Sequence, residues 1–435
     1  MTASAPRDPG FLDEKSVRDE LTRAFDICGG CRRCVDRCPV FPSLFDLVDA
    51  VDRGGAGLMT PSEQDHVVDR CFHCTACMVD CPYTPDRHEL ALDIPRLMLR
   101  AGAMRRAVGQ YPARRRRTTS ILGRTSMLGT VPFAPTVTRA SRGSFVRRVV
   151  QRLTGVSASR ALPPHATRRF SEWFAHRAGA GPGGGRRVTV VPTCLVEHRA
   201  LQIGVDLVGV LERNGVGCAA STMECCGAPW LSGGESARFT EVAERNVRTL
   251  AAEVREHGDL VVPEPTCGHV LQQAYVDHVD SSMRSEAEFV ARHTYDAADY
   301  LMRLHRSDAV GLDTDFHGSV PRSVTHQVGA RLRSRGIGRA GPDLLRLTGA
   351  EVEVVHQDSA DEVMWGLRAD NVDVSLSVAR RLAARIQEAG GEVVTGDSVL
   401  TNTTIEEQTG IRPIHPVELL ARAYGLPPEP LDPSR

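Results

Sequence analysis

Eight of the thirteen cysteines in this 435-residue chain fall into two copies of one pattern, Cys28-x2-Cys31-x2-Cys34-x3-Cys38-Pro39 and Cys71-x2-Cys74-x2-Cys77-x3-Cys81-Pro82. Thiolates are soft ligands. Three of them, two residues apart on a loop, can reach three irons of an inorganic cube, while a fourth, turned away by the proline behind it, reaches a second cube. The pattern predicts two [4Fe-4S] clusters with crossed ligation: Cys28, Cys31, Cys34 and Cys81 at one, and Cys71, Cys74, Cys77 and Cys38 at the other. Zinc knuckles usually draw on two cysteine pairs, and unligated core cysteines would not repeat this spacing, so both alternatives fit less well. His73 and His88 flank the second quartet. Each reads either as a hydrogen-bond partner that tunes a cluster or, more simply, as a solvated surface residue.

Four more thiols, Cys194, Cys225, Cys226 and Cys267, lie far downstream. Adjacent cysteines aimed into one pocket are hard to explain by packing alone, and a third 4Fe-4S centre or a zinc fits them better than four metal-free buried thiols. Cys218 has no partner at useful spacing and reads as a core residue. His269, two residues after Cys267, is either a ligand or a local hydrogen-bonding group.

The elements that must position these groups differ along the chain. The segment between the quartets is too long for a minimal ferredoxin hairpin, and its apolar spacing at 45–51 and 67–68 is helical. Residues 93–99 continue as an exit helix, so an all-helical ferredoxin module is expected over 1–104. From Arg96 to Arg187 the chain has many arginines and one acid, Glu172. This basic connecting segment, 105–185, contains Arg114 to Arg117, an apolar run at 127–137 and a basic amphipathic helix at 145–153. That helix could lie on an anionic membrane, dock on a partner or pack on its own domain. Glycines at 179–185 mark a linker. Strand and helix then alternate, predicting an α/β domain: strands at 187–191 and 260–262, helices at 201–213 and 237–256, and a last helix after His293. The plan repeats from 320 onward, with strands at 320–326, 352–355 and 393–394 and helices at 344–348, 367–390 and 415–420.

Cys194, Cys225-Cys226-Gly227 and Cys267 match the cysteine-rich CCG domain. With the quartets ahead of them, the chain from about Arg23 resembles the C subunit of anaerobic glycerol-3-phosphate dehydrogenase and its relatives, the heterodisulfide reductase and glycolate oxidase iron-sulfur subunits. The resemblance implies a helical two-cluster ferredoxin module followed by a duplicated α/β CCG domain, with one repeat at 186–310 and another at 311–435. It also implies electron delivery from a partner flavoprotein dehydrogenase towards quinone, a thiol system or another acceptor. In such relatives the second repeat also carries cysteines; here none follows Cys267. Its matching positions are Gly329 or Ala330, residues 357–362, and Ser398 with Thr401, and hydroxyls are poor substitutes for thiolates. The second repeat is therefore expected to be structural.

The formal net charge of −1 argues against nucleic-acid binding. No signal peptide and no apolar run near 18 residues is evident, so thiolate ligands in a reducing, cytoplasmic setting are expected, with at most peripheral contact at the inner face of the membrane. No nucleotide-binding glycine motif follows a strand, which assigns flavin or nicotinamide to another polypeptide. The leading reading is an electron-transfer component with two centres in the quartets and room for a third at the downstream thiols. The alternatives are a catalytic first repeat that reduces a disulfide or binds a small thiol or hydroxy acid, and an interaction subunit tethering a dehydrogenase to the membrane.

Overall fold

The computed structural model describes residues 6, 10–50, 55–127, 144–177, 185–307 and 311–428. The apolar run at 127–137 beyond Met127, and the glycine stretch at 179–184, lie outside them.

The first elements are helices: α1 (Glu14–Cys31), α2 (Val40–Asp49), α3 (Pro61–Arg70), α4 (Ala76–Val79), α5 (Ile94–Ala107) and α6 (Ala113–Met127). Local chemistry starts them. The Asp13 carboxylate accepts from the Ser16 amide at 2.8 Å, and Thr60 and Glu63 form a reciprocal capping box ahead of Pro61. Val17, Leu21, Ala24 and Phe25 recur on one face of α1 and bury it against a core shared with Phe41, Leu44, Val67 and Met98.

Two parallel sheets follow. β1 (Arg187–Val190) lies between β2 (Gly217–Ala220) and β3 (Asp259–Val262), and β4 (Thr294–Asp296) extends the sheet beyond β3. Val188, Val190 and residues 260–262 are fully buried, as strands covered on both faces must be. The second sheet sets β5 (Ser323–Gln327) between β6 (Glu351–Val355) and β7 (Val393–Gly396). Beyond β7, Thr395 makes a lone parallel bridge to Ile414. The predicted strands and helices appear with ends shifted by a few residues; β4, only three residues long, carried no pattern of its own.

The second sheet's unit packs on the helical module. Ala330, Ala360, Trp365 and Val378 join the module's core, and the Phe72 and Trp365 rings lie 5.6 Å apart. The basic segment straps these parts together. Arg105 pairs with Asp65 and Asp69, Arg115 with Asp69 and Asp370, and Arg106 with Glu235. Part of the basic segment's charge is thus balanced inside the chain.

Of the three readings of the helix Ser144–Thr154, packing of its apolar face on its own domain is the one its exposure does not match. Phe145, Val149, Val150 and Leu153 are exposed, Phe145 at 75%, while Arg147 is half-buried and donates to the Arg160 carbonyl. The Arg147 guanidinium has an inward acceptor, and the exposed surface of the helix carries Phe145, Val149, Val150 and Leu153 together with Arg148 and Arg152.

Candidate iron-sulfur centres

Cys28 and Cys31 are not on a loop, as the spacing suggested, but in the last turn of α1, where i,i+3 spacing puts both on one face. Arg32, in the left-handed region at φ 52°, ends the helix with its amide on the Cys28 carbonyl and turns the chain towards Cys34. Burial, and then the neighbouring Cys34, Cys81 and Cys31, push the Cys28 thiol far up; Cys34 is raised to about 11 by burial, then by Cys81 and Cys31. The first three cysteines of the first quartet therefore share their surroundings with the last cysteine of the second.

The other four thiols ring one cavity. Cys38, Cys71, Cys74 and Cys77 line it, with Phe41, Leu44, Val67 and Met98 among its apolar walls. Burial drives the Cys74 and Cys77 thiols well above their usual value; Asp358 and Cys38 add to it at Cys74, and Cys74, Cys38 and Cys71 at Cys77. His73 and Thr75, on either side of Cys74, both have positive φ (55° and 68°), conformations rare outside glycine and typical of strained functional loops. The Ala76 amide donates to the Cys74 sulfur at 3.4 Å. His73 is half-buried, with Nδ1 3.7 Å from the Cys71 sulfur and a pKa pushed down to about 3 by burial and then by the Arg331 and Arg368 charges. The solvated reading of His73 therefore fails, because the second sheet's unit covers it. His88 is exposed, edge-on to Tyr83.

The remaining four thiols lie at the carboxyl ends of three parallel strands: Cys194 after β1, Cys225 and Cys226 after β2, and Cys267 after β3. Strand order reverses between β1 and β3, the usual location of a ligand site in an open parallel sheet. All four are buried, and the Cys267 and Cys226 sulfurs lie 3.2 Å apart. The Cys194 thiol is raised by its hydrogen bond with Cys225, then by burial. Thr193, a β-branched residue at φ 57°, kinks the chain immediately before Cys194. Gly227 closes the double-cysteine turn at φ 84°, where a Cβ would come within 3.0 Å of Phe239. Two residues missed by sequence reasoning hold this turn: Asn246 donates to the Cys225 carbonyl at 2.8 Å and to the Tyr275 hydroxyl at 2.7 Å, and Tyr275 donates to the Cys226 carbonyl at 3.0 Å. Asn246 carried a weak signal, a polar side chain on the apolar stripe of a long helix. Cys218 is a half-buried strand residue paired with Val188, as expected of packing. His269 is held neutral by burial and by the Arg331 and Arg335 charges.

These thiols fit iron-sulfur clusters. Buried thiols without a nearby cation stay protonated, and iron supplies the positive charge that makes them thiolate ligands. Among the described residues no three His, Cys, Asp or Glu side chains converge closely enough for a single metal ion. In the second group, at least, the sulfurs surround a space instead.

The matching positions of the second sheet hold no thiol. The Ser359 and Thr401 hydroxyls pair at 3.0 Å, and Asp358 accepts from the Ala330 amide at 2.8 Å. Asp361 is bridged at 2.9 Å by Arg160, which also reaches Glu407 at 2.9 Å and the Thr404 and Ser375 hydroxyls.

Residues 20–92 match the 4Fe-4S dicluster domain and residues 188–272 the cysteine-rich domain. The C subunit of anaerobic glycerol-3-phosphate dehydrogenase from Escherichia coli K12 is 24% identical over 403 residues, covering 82% of this chain and 99% of the relative. The B subunit of the CoM/CoB fumarate reductase of Methanothermobacter marburgensis is 22% identical over 51% of this chain and 41% of its own length. Citrate utilization protein B of Escherichia coli is 30% identical over 79 residues, 18% of each chain. No described helix is long and apolar enough to cross a membrane. The chain is an iron-sulfur protein homologous, over most of its length, to the C subunit of anaerobic glycerol-3-phosphate dehydrogenase.

Proposed function

We propose that this chain is the electron-transfer subunit of an oxidoreductase complex, taking electrons from a partner flavoprotein dehydrogenase and passing them towards quinone or another acceptor. The observation that carries the reading is the crossed grouping of thiols: Cys38 lines a cavity with Cys71, Cys74 and Cys77, while Cys81 neighbours Cys28 and Cys34. In this reading each group holds one [4Fe-4S] cluster, and Cys194, Cys225, Cys226 and Cys267 hold a third centre. The cluster supplies one-electron storage; the protein supplies thiolates, apolar walls and amide donors such as that of Ala76, which set potential.

The domain scheme is an all-helical module at 1–104, the basic connector at 105–185, and a duplicated α/β unit, 186–310 and 311–435. Duplication is supported by the matching strand orders, each with its first strand central and Ile414 bridging where β4 stands in the first unit. Localisation is cytoplasmic. A second reading, peripheral membrane contact, is favoured by the outward apolar residues Phe145, Val149, Val150 and Leu153 beside Arg148 and Arg152.

Anaerobic iron and sulfide analysis with EPR tests the main reading. The intact protein is expected to hold about twelve irons and the Cys225→Ser, Cys226→Ser variant about eight. About eight irons in both restricts the clusters to the quartets, and far fewer than eight in the intact protein refutes the reading.

A further inference from the structure

Three non-glycine residues within five positions of the second unit, Ala360, Val363 and Met364, sit in the left-handed region, at φ 58°, 52° and 62°. For a β-branched residue such as Val363 this is a true outlier, and strain of this kind persists only where the surroundings over-determine the backbone. Here they do. On one side Arg160 locks the buried Asp361 carboxylate at 2.9 Å, and the Asp361 carbonyl accepts from the Met364 amide at 2.9 Å. On the other, Trp365 packs on Phe72 in the core of the helical module, and its carbonyl accepts from the Asn371 side chain at 3.0 Å. Gly366, next along, has no room for a Cβ, which would come within 2.6 Å of the Asp361 and Ser375 side chains and the Ala360 carbonyl.

The side chains presented by this strained turn lie against the four-thiol site. Met364 packs on the apolar cluster that contains Cys194 and Cys225 with Leu195, Val196 and Ile203, and Val363 packs on the neighbouring cluster that contains Cys226 and Cys267. All four cysteines are buried, whereas Val363 and Met364 are only half-buried. Each of these two side chains therefore has one side on the wall of the site and another in water. The thiol-free second unit thus supplies part of the cover of the first unit's site, from a backbone that only its anchors at Asp361 and Trp365 hold in place.

We propose that residues 360–365 form a strained plug that closes the four-thiol site to small soft reagents, thiols in particular, and so bars it from acting on them as ligands or substrates. The inference rests on the proposed third centre. Thiolates are soft ligands for iron, so a centre open to solvent would take up small thiols. Val363 and Met364 bring no charge and no acid or base to the site, and they exclude such molecules by bulk alone, with no bond made or broken. They are the specificity-determining residues, and Arg160, Asp361 and Trp365 are the positioning residues that hold them against the strain.

Two reagents test this on the full-length protein purified anaerobically: 2-mercaptoethanol, read by EPR, and iodoacetamide, with labelling of Cys194 and Cys225 read by mass spectrometry. The parent is expected to keep its EPR spectrum in the presence of the thiol. Met364→Ala is expected to let the thiol shift the signal of the four-thiol centre while the signals of the two quartets, which report an intact fold, stay unchanged. Labelling of Cys194 and Cys225 is expected to be about tenfold faster in Met364→Ala than in the parent, as for a site that has lost its cover. Met364→Leu, which keeps the bulk without the sulfur, is expected to behave like the parent. Val363→Gly should melt above Val363→Ala, because glycine adopts φ 52° without strain; in an unstrained turn the order is the reverse. A parent that takes up the thiol, a Met364→Ala protein as closed as the parent, a Met364→Leu protein as open as Met364→Ala, or Val363→Ala melting above Val363→Gly overturns the plug. Iron counts on the same samples separate this from failure of the underlying reading: with about twelve irons in the parent the EPR comparison decides, whereas about eight removes the third centre and leaves the plug to be decided by labelling alone.

Discussion

The carboxyl ends of the two parallel sheets meet the same problem, buried polar groups at a strand switch point, in opposite ways. The first sheet gathers Cys194, Cys225, Cys226 and Cys267, buried thiols that lie beside one another and that, in the proposed reading, iron would balance. The second gathers Asp361, Glu407, Ser375 and Thr404 around the Arg160 guanidinium, which supplies the balance from the chain itself. A site proposed to hold a cofactor and a site closed by an internal ion pair can thus occupy comparable places. What separates them is where the positive charge comes from.

The largest effect is expected from removing that charge. Arg160→Met leaves two carboxylates facing a buried space that no longer holds a cation, and loss of one partner of a buried ion pair costs about 3–5 kcal/mol. The chain should unfold at correspondingly lower denaturant in chemical melts, with Arg160→Met, Asp361→Asn, Glu407→Gln recovering part of the loss. A single variant as stable as the parent would mean that the lock contributes nothing, and the contrast between the sheets would collapse.

A smaller, pH-dependent effect separates the last helix of each unit. In the first, Asp296 precedes the helix Ala297–His305 without capping it; in the second, His415 accepts from the Val417 amide at 3.2 Å while Glu418 accepts from the His415 amide at 2.7 Å. Burial, partly offset by Asp397, holds the His415 pKa at about 4 against an ordinary 6.5. The unfolded chain therefore binds this proton first as pH falls, so the stability contributed by the neutral ring is present above pH 6.5 and is lost progressively as pH drops towards 4. The full difference is about 3 kcal/mol. Chemical melts between pH 4 and 7 should show this slope, and His415→Asn, which keeps a capping group but does not titrate, should flatten it.

Much of this architecture is legible locally. The quartets are written in spacing, and the long helices and buried strands in apolar period, because each depends on residues within a few turns of one another. The ends of the sheets are harder to read. Arg160 reaches Asp361 across 201 positions and Glu407 across 247, and nothing near Arg160 distinguishes it from its neighbours in a segment crowded with arginine. His73 resembles a surface histidine until the second unit covers it. The outward apolar face of Ser144–Thr154 has a hydrophobic period that fits burial equally well, and the acceptor that Arg147 finds at the Arg160 carbonyl lies outside the helix's own sequence. Cys28 and Cys31 show a different limit, since x2 spacing suits both a loop around a cube and one face of a helix.

The smallest expected effect is the sharpest test of the contrast. Ser359→Cys, Thr401→Cys restores two thiols where hydroxyls now pair at 3.0 Å. If thiol number alone decided occupancy, the second unit would begin to recruit iron. The arrangement predicts otherwise, because Arg160 already balances the local carboxylates and a cationic guanidinium beside the site opposes the approach of iron cations. Iron and sulfide content should match the parent, and stability should fall by about 1 kcal/mol for the exchanged hydrogen bond. Extra iron in this variant, with Arg160 still in place, would show that the lock excludes nothing and that the missing thiols alone separate the two sheets.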